Sequence, residues 1–195
     1  MRKDYEIILK LIPENSKVLD IGCSDGELIS YLENKGVSAQ GVELNQEKVI
    51  KCLEKGLDVI HGDINLIVED FPFNQFDYCL LTQTIQAVQK PDKLLNTLKK
   101  VSKNIIVSFN NSARLSKISN FLLSGSFDSL LKKADSDHWY NTDYIHPCSI
   151  KDFKKLAENL DLKIISTFDV INQRKFENGK IPSNLFCKEV LFHIT

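Results

Sequence analysis

The sequence predicts an α/β protein with a mostly parallel, seven-stranded sheet, helices on both faces and an antiparallel pair of strands at one edge. Over residues 17–109, short apolar segments typical of buried strands alternate with segments whose apolar residues recur at helical spacing. Strands and helices that alternate in this way form parallel sheets. The last two apolar segments alternate apolar and polar residues, which predicts the antiparallel pair.

Five predicted strands precede residue 110, and each is a short run rich in apolar residues. They cover residues 17–21, 39–43, 58–61, 76–82 and 104–109, and the two later strands cover 162–168 and 187–194. The polar residues 172–184 carry no strand pattern and are predicted to be a mobile link. No internal repeat is present, and one domain over residues 1–195 is the expected organisation.

Helix boundaries carry their own sequence signals. Gly36 follows an apolar helical stripe and is a typical C-terminal stop, and Asn45 is a suitable N-terminal cap for the next helix. Pro91 is expected to open the helix before the fifth strand, because proline is tolerated in the first turn. Ser149 followed three residues later by Asp152 resembles a capping box, which predicts that another helix begins there.

Composition excludes several classes of protein. The 25 Lys and Arg residues are balanced by 26 Asp and Glu residues, and a net charge of −1 disfavours nucleic acid as a partner. No apolar run approaches the length of a membrane span, and the N-terminus lacks a secretory signal pattern. The five cysteines are widely spaced without a Cys-x-x-Cys pair, so neither a disulfide framework nor a metal site is expected. The expected compartment is the reducing cytoplasm.

Carboxylates follow the first three predicted strands. Asp20, Glu43 and Asp63 are separated by about one strand and one helix each. Because ligands of open parallel sheets bind outside the carboxyl ends of the strands, these side chains are expected to line one crevice. A dinucleotide fingerprint is absent, since Ser24 and Glu27 stand where glycines are needed. The alternative interpretation is that each carboxylate is a solvated strand end, which is common turn chemistry.

S-adenosylmethionine fits such a crevice, because it carries an ammonium, a sulfonium, a ribose diol and an adenine amine but no phosphate. Glu43 is expected to accept hydrogen bonds from the ribose hydroxyls and Asp63 from the adenine amine, while the loop from Asp20 to Gly26 holds the methionine end. S-adenosylhomocysteine is the alternative ligand. The predicted cofactor-binding residues are Asp20, Gly22, Cys23, Ser24, Gly26, Glu43, Leu44, Asp63, Ile64 and Gln83.

The segment Val18–Glu27 resembles motif I of class I S-adenosylmethionine-dependent methyltransferases. More narrowly, the chain resembles the family of methionine biosynthesis protein MetW. The stretches that carry this resemblance are 41–43, 83–88 with Pro91-Asp92, 106–109, 139–142 and 145–153. The resemblance implies a three-layer, Rossmann-like class I methyltransferase fold, a role in methionine synthesis and homoserine O-acyltransferase as a partner. It does not imply a methyl acceptor. The family usually has glycine at the position of Ser24, and a side chain there costs roughly 1 kcal/mol or more if φ is positive.

Catalytic residues are not evident from the sequence. The fourth strand is followed by Thr82-Gln83-Thr84 instead of the motif of nucleic-acid amino-methyltransferases, and Pro147-Cys148 lies too far downstream for a nucleophile of cytosine chemistry. His138 and His146 are weak candidates for a general base, because histidine titrates near neutrality. A helix is expected near residues 115–122. The aromatic and histidine-rich segment after it has three open interpretations: a lid, a docking surface or ordinary packing.

Two functions therefore stand as hypotheses. The first is a cytoplasmic module that binds S-adenosylmethionine and supports homoserine O-acyltransferase in methionine synthesis. The alternative is an S-adenosylmethionine-dependent methyltransferase with a small-molecule acceptor. An NAD-dependent oxidoreductase is a distant third, because the glycine pattern fails.

Overall fold

An eight-stranded mixed sheet forms the centre of the protein as described by a computed structural model. The structure describes residues 1–127, 146–177 and 179–195. The strands are β1 (Lys17–Ile21), β2 (Ser38–Glu43), β3 (Val59–His61), β4 (Phe76–Thr82), β5 (Ser102–Asn110), β6 (Ile164–Asp169), β7 (Arg174–Glu177) and β8 (Glu189–Ile194). Their order across the sheet is β3-β2-β1-β4-β5-β8-β6-β7. The first five pair in parallel, and β8, β6 and β7 pair antiparallel, as the sequence predicts for the edge.

Helices cover both faces of this sheet. Those in the described residues are α1 (Lys3–Leu11), α2 (Glu27–Asn34), α3 (Gln46–Glu54), α4 (Ile64–Ile67), α5 (Pro91–Val101), α6 (Leu115–Ser124) and α7 (Ile150–Asn159). The predicted boundary signals are confirmed. The Asn45 side chain accepts a hydrogen bond from the Lys48 amide at 3.1 Å, α5 begins at Pro91, and Ser149 and Asp152 form both bonds of a capping box.

The structure adds one strand to the seven predicted ones. β7 lies within the polar link 172–184 and pairs antiparallel with β6, with Thr167 opposite Phe176. Its residues are mostly exposed, so no apolar alternation marks it in the sequence. Backbone hydrogen bonds to a neighbouring strand, and not burial, define this short edge strand.

Two apolar layers sandwich the sheet, and strand alternation assigns each side chain to one of them. In β1, Leu19 and Ile21 belong to the layer shared with α5 and α7, whereas Val18 belongs to the layer shared with α1 and α2. Asp20 leaves the strand on the same side as Val18, because successive side chains of a strand alternate. A buried carboxyl group therefore lies under α1, at the carboxyl end of the sheet.

Replacement of Gly41 by alanine is expected to lower the free energy of unfolding by about 1–3 kcal/mol, because overpacking strains a closely packed interior. A Cβ atom on Gly41 would lie 2.6 Å from Cys23 Sγ and 2.7 Å from Ile29 Cδ1, both in the buried layer under β2. Urea denaturation measures the change. Gly62→Ala is the matched control, since its nearest neighbour is the partly buried Ile67 at 3.2 Å. Equal stabilities of the two variants would contradict the prediction.

Candidate functional site

A cleft of about 560 Å³ opens at the carboxyl ends of β1 to β4. β1 lies at the point where the strand order changes direction, with β2 on one side and β4 on the other, and ligands of open α/β sheets bind at such a point. The residues lining the cleft are Ile21, Gly22, Val42, Glu43, Leu44, Asn45, Lys48, Gly62, Asp63, Ile64, Asn65, Thr84, Ala87 and Val88. Five of the ten predicted cofactor-binding residues are among them.

Glu43 is a buried carboxylate of the cleft that two backbone amides hold in place. It ends β2, is only 8% exposed, and accepts hydrogen bonds from two backbone amides: Ser24 N at 2.9 Å on Oε2 and Asn45 N at 2.8 Å on Oε1. Each carboxylate oxygen has room for a second donor, because a carboxylate accepts about four hydrogen bonds. Glu43 can therefore hold the motif I loop in place and still accept two hydroxyl groups from a ligand.

Asp63 follows β3, the strand that pairs with β2, and lines the same cleft, half-buried at the N-terminal cap of α4. Its Oδ1 accepts hydrogen bonds from the Asn65 amide at 2.9 Å and from Asn65 Nδ2 at 2.7 Å. Leu44 and Ile64, also predicted to bind the cofactor, follow Glu43 and Asp63 directly and line the same cleft. Leu44 is exposed, and its carbonyl group contacts His61 Nε2 at 3.0 Å. Leu44 is therefore an exposed apolar side chain beside Glu43, whereas Ile64 beside Asp63 is buried.

The loop after β1 approaches the cleft with strained backbone. Gly22 lines it with φ of +73°, and a Cβ atom there would lie 2.8 Å from Thr84 Oγ1. Ser24 has φ of +55°, so a serine occupies the left-handed conformation that glycine adopts at little cost. Cys23 and Gly26 are buried beneath the loop and do not line the cleft. Their predicted contact with the cofactor stays a prediction.

Asp20 lies behind the cleft and does not line it. Its side chain is buried, and among the described residues its Oδ1 atom has no hydrogen-bond partner. Burial, with the nearby carboxylates of Asp4 and Glu43, raises the pKa of Asp20 to about 7, and Arg2 opposes this. A buried carboxyl group without a partner is costly, so it marks a position where a donor from a ligand would stabilise the protein.

Gln83 is held between two polar side chains instead of lining the cleft. Its Nε2 donates to Glu189 Oε1 at 2.9 Å, and its Oε1 accepts from Asn110 Nδ2 at 2.9 Å. The backbone of Gln83 has φ of +59°, a conformation that is uncommon outside glycine. Burial and the nearby Asp4 raise the pKa of Glu189 to about 7. Glu189 comes late in the chain, so no local sequence signal connects it with this edge.

Of the two histidine candidates for a general base, only His146 lies in the described part of the chain. His138 lies outside the described residues, as do Trp139, Tyr140 and Tyr144. His146 is exposed, its Nε2 contacts the Gln89 carbonyl oxygen at 3.2 Å, and its backbone amide donates to the Gln86 carbonyl oxygen at 3.0 Å. These contacts attach His146 to the loop after β4. Its role as a base and the role of the aromatic segment stay predictions.

Several cleft residues are absent from the set of predicted cofactor-binding residues. Thr84, Ala87 and Val88 belong to the loop after β4, and Thr84 Oγ1 donates to the Ile21 carbonyl oxygen at 3.0 Å. Asn45 and Lys48 extend the wall along the start of α3. The signal that could have found them is position, because all of them lie in segments that follow a strand on the ligand-binding side of a parallel sheet.

Neither a metal site nor a membrane span is found in the described portions of the chain. No group of three or more histidine, cysteine, aspartate or glutamate side chains there is placed to hold a metal ion. No helix in those residues is long and apolar enough to cross a bilayer.

Comparison with known proteins identifies the family to which the chain is similar. A family model described as methionine biosynthesis protein MetW matches residues 2–194. The chain is 31% identical over 202 residues to a protein of Rhodopirellula baltica named bifunctional methionine biosynthesis protein MetXA/MetW. The match covers 97% of this chain and 32% of that relative, so the chain spans about a third of the length of the relative.

Several solved structures with the same fold are described as S-adenosylmethionine-dependent methyltransferases. One from Methanosarcina mazei superimposes with a TM-score of 0.70 at 15% identity, over 96% of this chain and 95% of that one. One from Mesorhizobium loti gives a TM-score of 0.69 at 11% identity, over 98% and 97%. At these identities the likeness shows the fold alone, and it confirms the predicted class I methyltransferase fold.

Proposed function

The chain belongs to the family of methionine biosynthesis protein MetW, and on that premise we propose that it binds S-adenosylmethionine in the cleft and supports homoserine O-acyltransferase in methionine synthesis. The cytoplasm is the compartment that fits this role. The observation that carries the proposal is Glu43, a buried carboxylate fixed by two backbone amides at the carboxyl end of β2 with capacity for two further donors. A ribose diol supplies both donors.

The rest of the cleft supports an adenosine without phosphate. Asp63 lies beside Glu43 in the lining and is positioned to accept a hydrogen bond from an adenine amine, while Ile64 and Val88 offer apolar surface to a base. A pyrophosphate would instead meet the carboxylates of Glu43 and Asp63, and Lys48 is the one cationic side chain among the lining residues described. The chemistry of the lining therefore favours S-adenosylmethionine or S-adenosylhomocysteine over a dinucleotide.

A separate observation supports the proposed association with homoserine O-acyltransferase. The Rhodopirellula baltica relative joins a MetW part to a MetXA part in one polypeptide. Parts that act together are often fused, because a linker raises their effective concentration. This supports an association between the present chain and a separate homoserine O-acyltransferase.

A direct test combines binding and activity. Calorimetry with S-adenosylhomocysteine, S-adenosylmethionine and NAD in parallel is expected to show binding of the first two and none of NAD. Acylation of homoserine by its acyltransferase is then measured with and without this protein, and a change in rate that depends on S-adenosylmethionine is expected. The absence of both a complex and a rate change would overturn the partner role, and the absence of binding would overturn the cofactor role.

A methyltransferase acting on a small molecule is the second candidate, and Glu189 favours it. This half-buried carboxyl group has its pKa raised to about 7 by burial and is fixed by Gln83, so it suits a general base for an acceptor that must lose a proton. Accumulation of S-adenosylhomocysteine with a metabolite mixture, lost in Glu189→Gln, is the expected result. No turnover under any mixture would contradict this candidate.

A further inference from the structure

One helix of the described chain lies on the surface without burying a side chain. None of the ten residues of α6 is buried, whereas each of the other five described helices of eight or more residues buries at least two side chains. Half of the α6 residues are apolar, and Leu123 is 88% exposed. Helices in proteins are stabilised mostly by packing of an apolar face, so α6 offers such a face that no described element covers.

A second apolar segment lies beside the start of α6. The amide of Leu115, the first residue of the helix, donates to the Leu185 carbonyl oxygen at 2.7 Å, and both Leu185 and Phe186 are exposed. At the other end of the helix, the ring centres of Phe121 and Phe127 are 5.1 Å apart. Exposed apolar side chains that are grouped in this way mark interaction sites, whereas single ones do not. We call this group the α6 surface, and it comprises Leu115, Leu122, Leu123, Phe127, Leu185 and Phe186.

The two segments that form the α6 surface are basic. Residues 111–127 and residues 180–188 each contain two basic residues and no acidic residue. Arg114 immediately precedes α6, and its Nε atom is buried without a hydrogen-bond partner among the described residues. Carboxylates are the acceptors that arginine side chains bind most strongly in proteins. The partner surface that fits is therefore apolar and rimmed by acidic side chains.

This charge pattern favours a different protein over two other occupants. A second copy of the chain would bring the same basic residues face to face, because both subunits of a two-fold dimer contribute the same surface. An anionic membrane attracts clusters of about four to eight basic residues, whereas each of the two segments contains two. An acidic protein surface meets neither objection.

The start of α6 lies close to the cleft. Ser112 precedes the helix by three residues, and its hydroxyl oxygen accepts a hydrogen bond from Gln86 Nε2 at 3.4 Å. Gln86 is followed directly by Ala87 and Val88, which line the cleft. A partner seated on the α6 surface would therefore lie near a ligand bound in the cleft.

We propose that the α6 surface is the docking site for a partner protein with an apolar, acid-rimmed surface, and that this partner is homoserine O-acyltransferase. The identity of the partner rests on the proposed function, whereas the location of the docking site rests on the exposed helix and its charges. The apolar side chains form the centre of the contact and the basic ones its rim, as in other interfaces. Binding is consequently expected to weaken as the salt concentration rises.

Calorimetry with purified homoserine O-acyltransferase from the same organism tests the proposal. Leu122→Asp and Phe186→Asp each place a charge in the apolar part of the surface and are expected to weaken the complex by at least about 10-fold. Lys188→Glu alters the rim and is expected to weaken it by about two- to fivefold. Phe73→Asp, at a phenylalanine that is 77% exposed in the loop before β4, and Lys51→Glu on α3 are the matched controls and should bind normally.

Two further measurements show that the variants are intact. Each one is expected to bind S-adenosylhomocysteine with an affinity within about threefold of the unmodified protein, because no residue of the α6 surface lines the cleft. Each is also expected to melt within about 2 °C of the unmodified protein, because substitutions of exposed residues change stability little.

The outcomes separate the docking site from the proposed function. Unchanged acyltransferase binding by folded Leu122→Asp and Phe186→Asp would overturn the docking site but not the proposed function. No complex with the unmodified protein would overturn both the docking site and the partner role.

Other occupants would give different results. A dimer of the unmodified protein that Leu122→Asp dissociates would identify a second copy as the occupant, and binding to vesicles of anionic phospholipid that Leu122→Asp abolishes would identify a membrane. Either result would overturn the proposal. A melting temperature lowered by more than about 5 °C in Leu122→Asp would show that the chain itself covers this helix, with the same consequence.

Discussion

Replacement of Glu43 by alanine is expected to weaken S-adenosylhomocysteine binding by at least about 100-fold. The carboxylate makes two bonds to the protein, to Ser24 N and Asn45 N, and is placed to make two more to a ribose. A hydrogen bond to a charged group contributes about 1.5–3 kcal/mol, so the loss of two ligand bonds alone accounts for the expected effect. Release of Ser24 from its left-handed conformation would weaken the site further, because the Glu43 bond helps to hold it.

Calorimetry with Glu43→Ala, Glu43→Gln and the unmodified protein measures this effect. Glu43→Gln keeps the shape but loses the charge, and an intermediate loss of about 10-fold is expected. Glu54→Gln, on the exposed C-terminal end of α3, is the control and should bind normally. Circular dichroism shows whether each variant is folded. A folded Glu43→Ala protein with a dissociation constant within threefold of the unmodified one would refute the assigned cleft.

Asp20→Asn is expected to stabilise the ligand-free protein at pH 8, by on the order of 3–4 kcal/mol. Burial raises the pKa of Asp20 from 3.8 to about 7, so the folded state holds this proton more tightly than the unfolded state does. Below pH 4 both states are protonated and the group has no effect. As the pH rises from 4 to about 7, the unfolded state loses its proton first and gains relative to the folded state. Above pH 7 the penalty is complete and constant.

Urea denaturation at pH 4.5 and pH 8 checks the sign and size of this effect. The two proteins should differ little at pH 4.5, and the asparagine variant should be the more stable one at pH 8. Asp25→Asn alters an exposed carboxylate of the same loop and is expected to change stability by less than about 0.5 kcal/mol at either pH. If the difference in stability between Asp20→Asn and the unmodified protein does not vary with pH, the surroundings of Asp20 do not raise its pKa.

The helix caps illustrate how much local sequence can reveal. Asn45, Pro91 and Ser149 each lie at a helix start where the sequence predicts one, because these signals depend on residues within about one helical turn.

The carboxylates at the strand ends could also be predicted from the sequence. Glu43 and Asp63 were predicted to face one crevice, and both line the cleft, because parallel strands place their carboxyl ends along the same edge.

Gln83 and β7 illustrate the limit. Gln83 was predicted to face the crevice, but its amide bridges Asn110 and Glu189, and the latter is 106 residues away. β7 has no apolar pattern, and it exists because β6 offers an edge with which it can pair. In both cases the partner that determines the conformation is distant in the chain, so no local pattern contains it.

The sequence by itself determined the alternation of strands and helices over residues 17–109, several helix ends and the carboxylates at the edge of the sheet, because these follow from patterns among near neighbours in the chain. Only the tertiary structure decided that Asp20 of β1, which is buried, and Glu189 of β8, which is half-buried, both lie near Asp4 of α1. The cost of a buried charge depends on every group around it, and these three are brought together by packing of the first helix against the first and last strands. The raised pKa values of Asp20 and Glu189 therefore depend on the tertiary structure and cannot be seen in the local sequence.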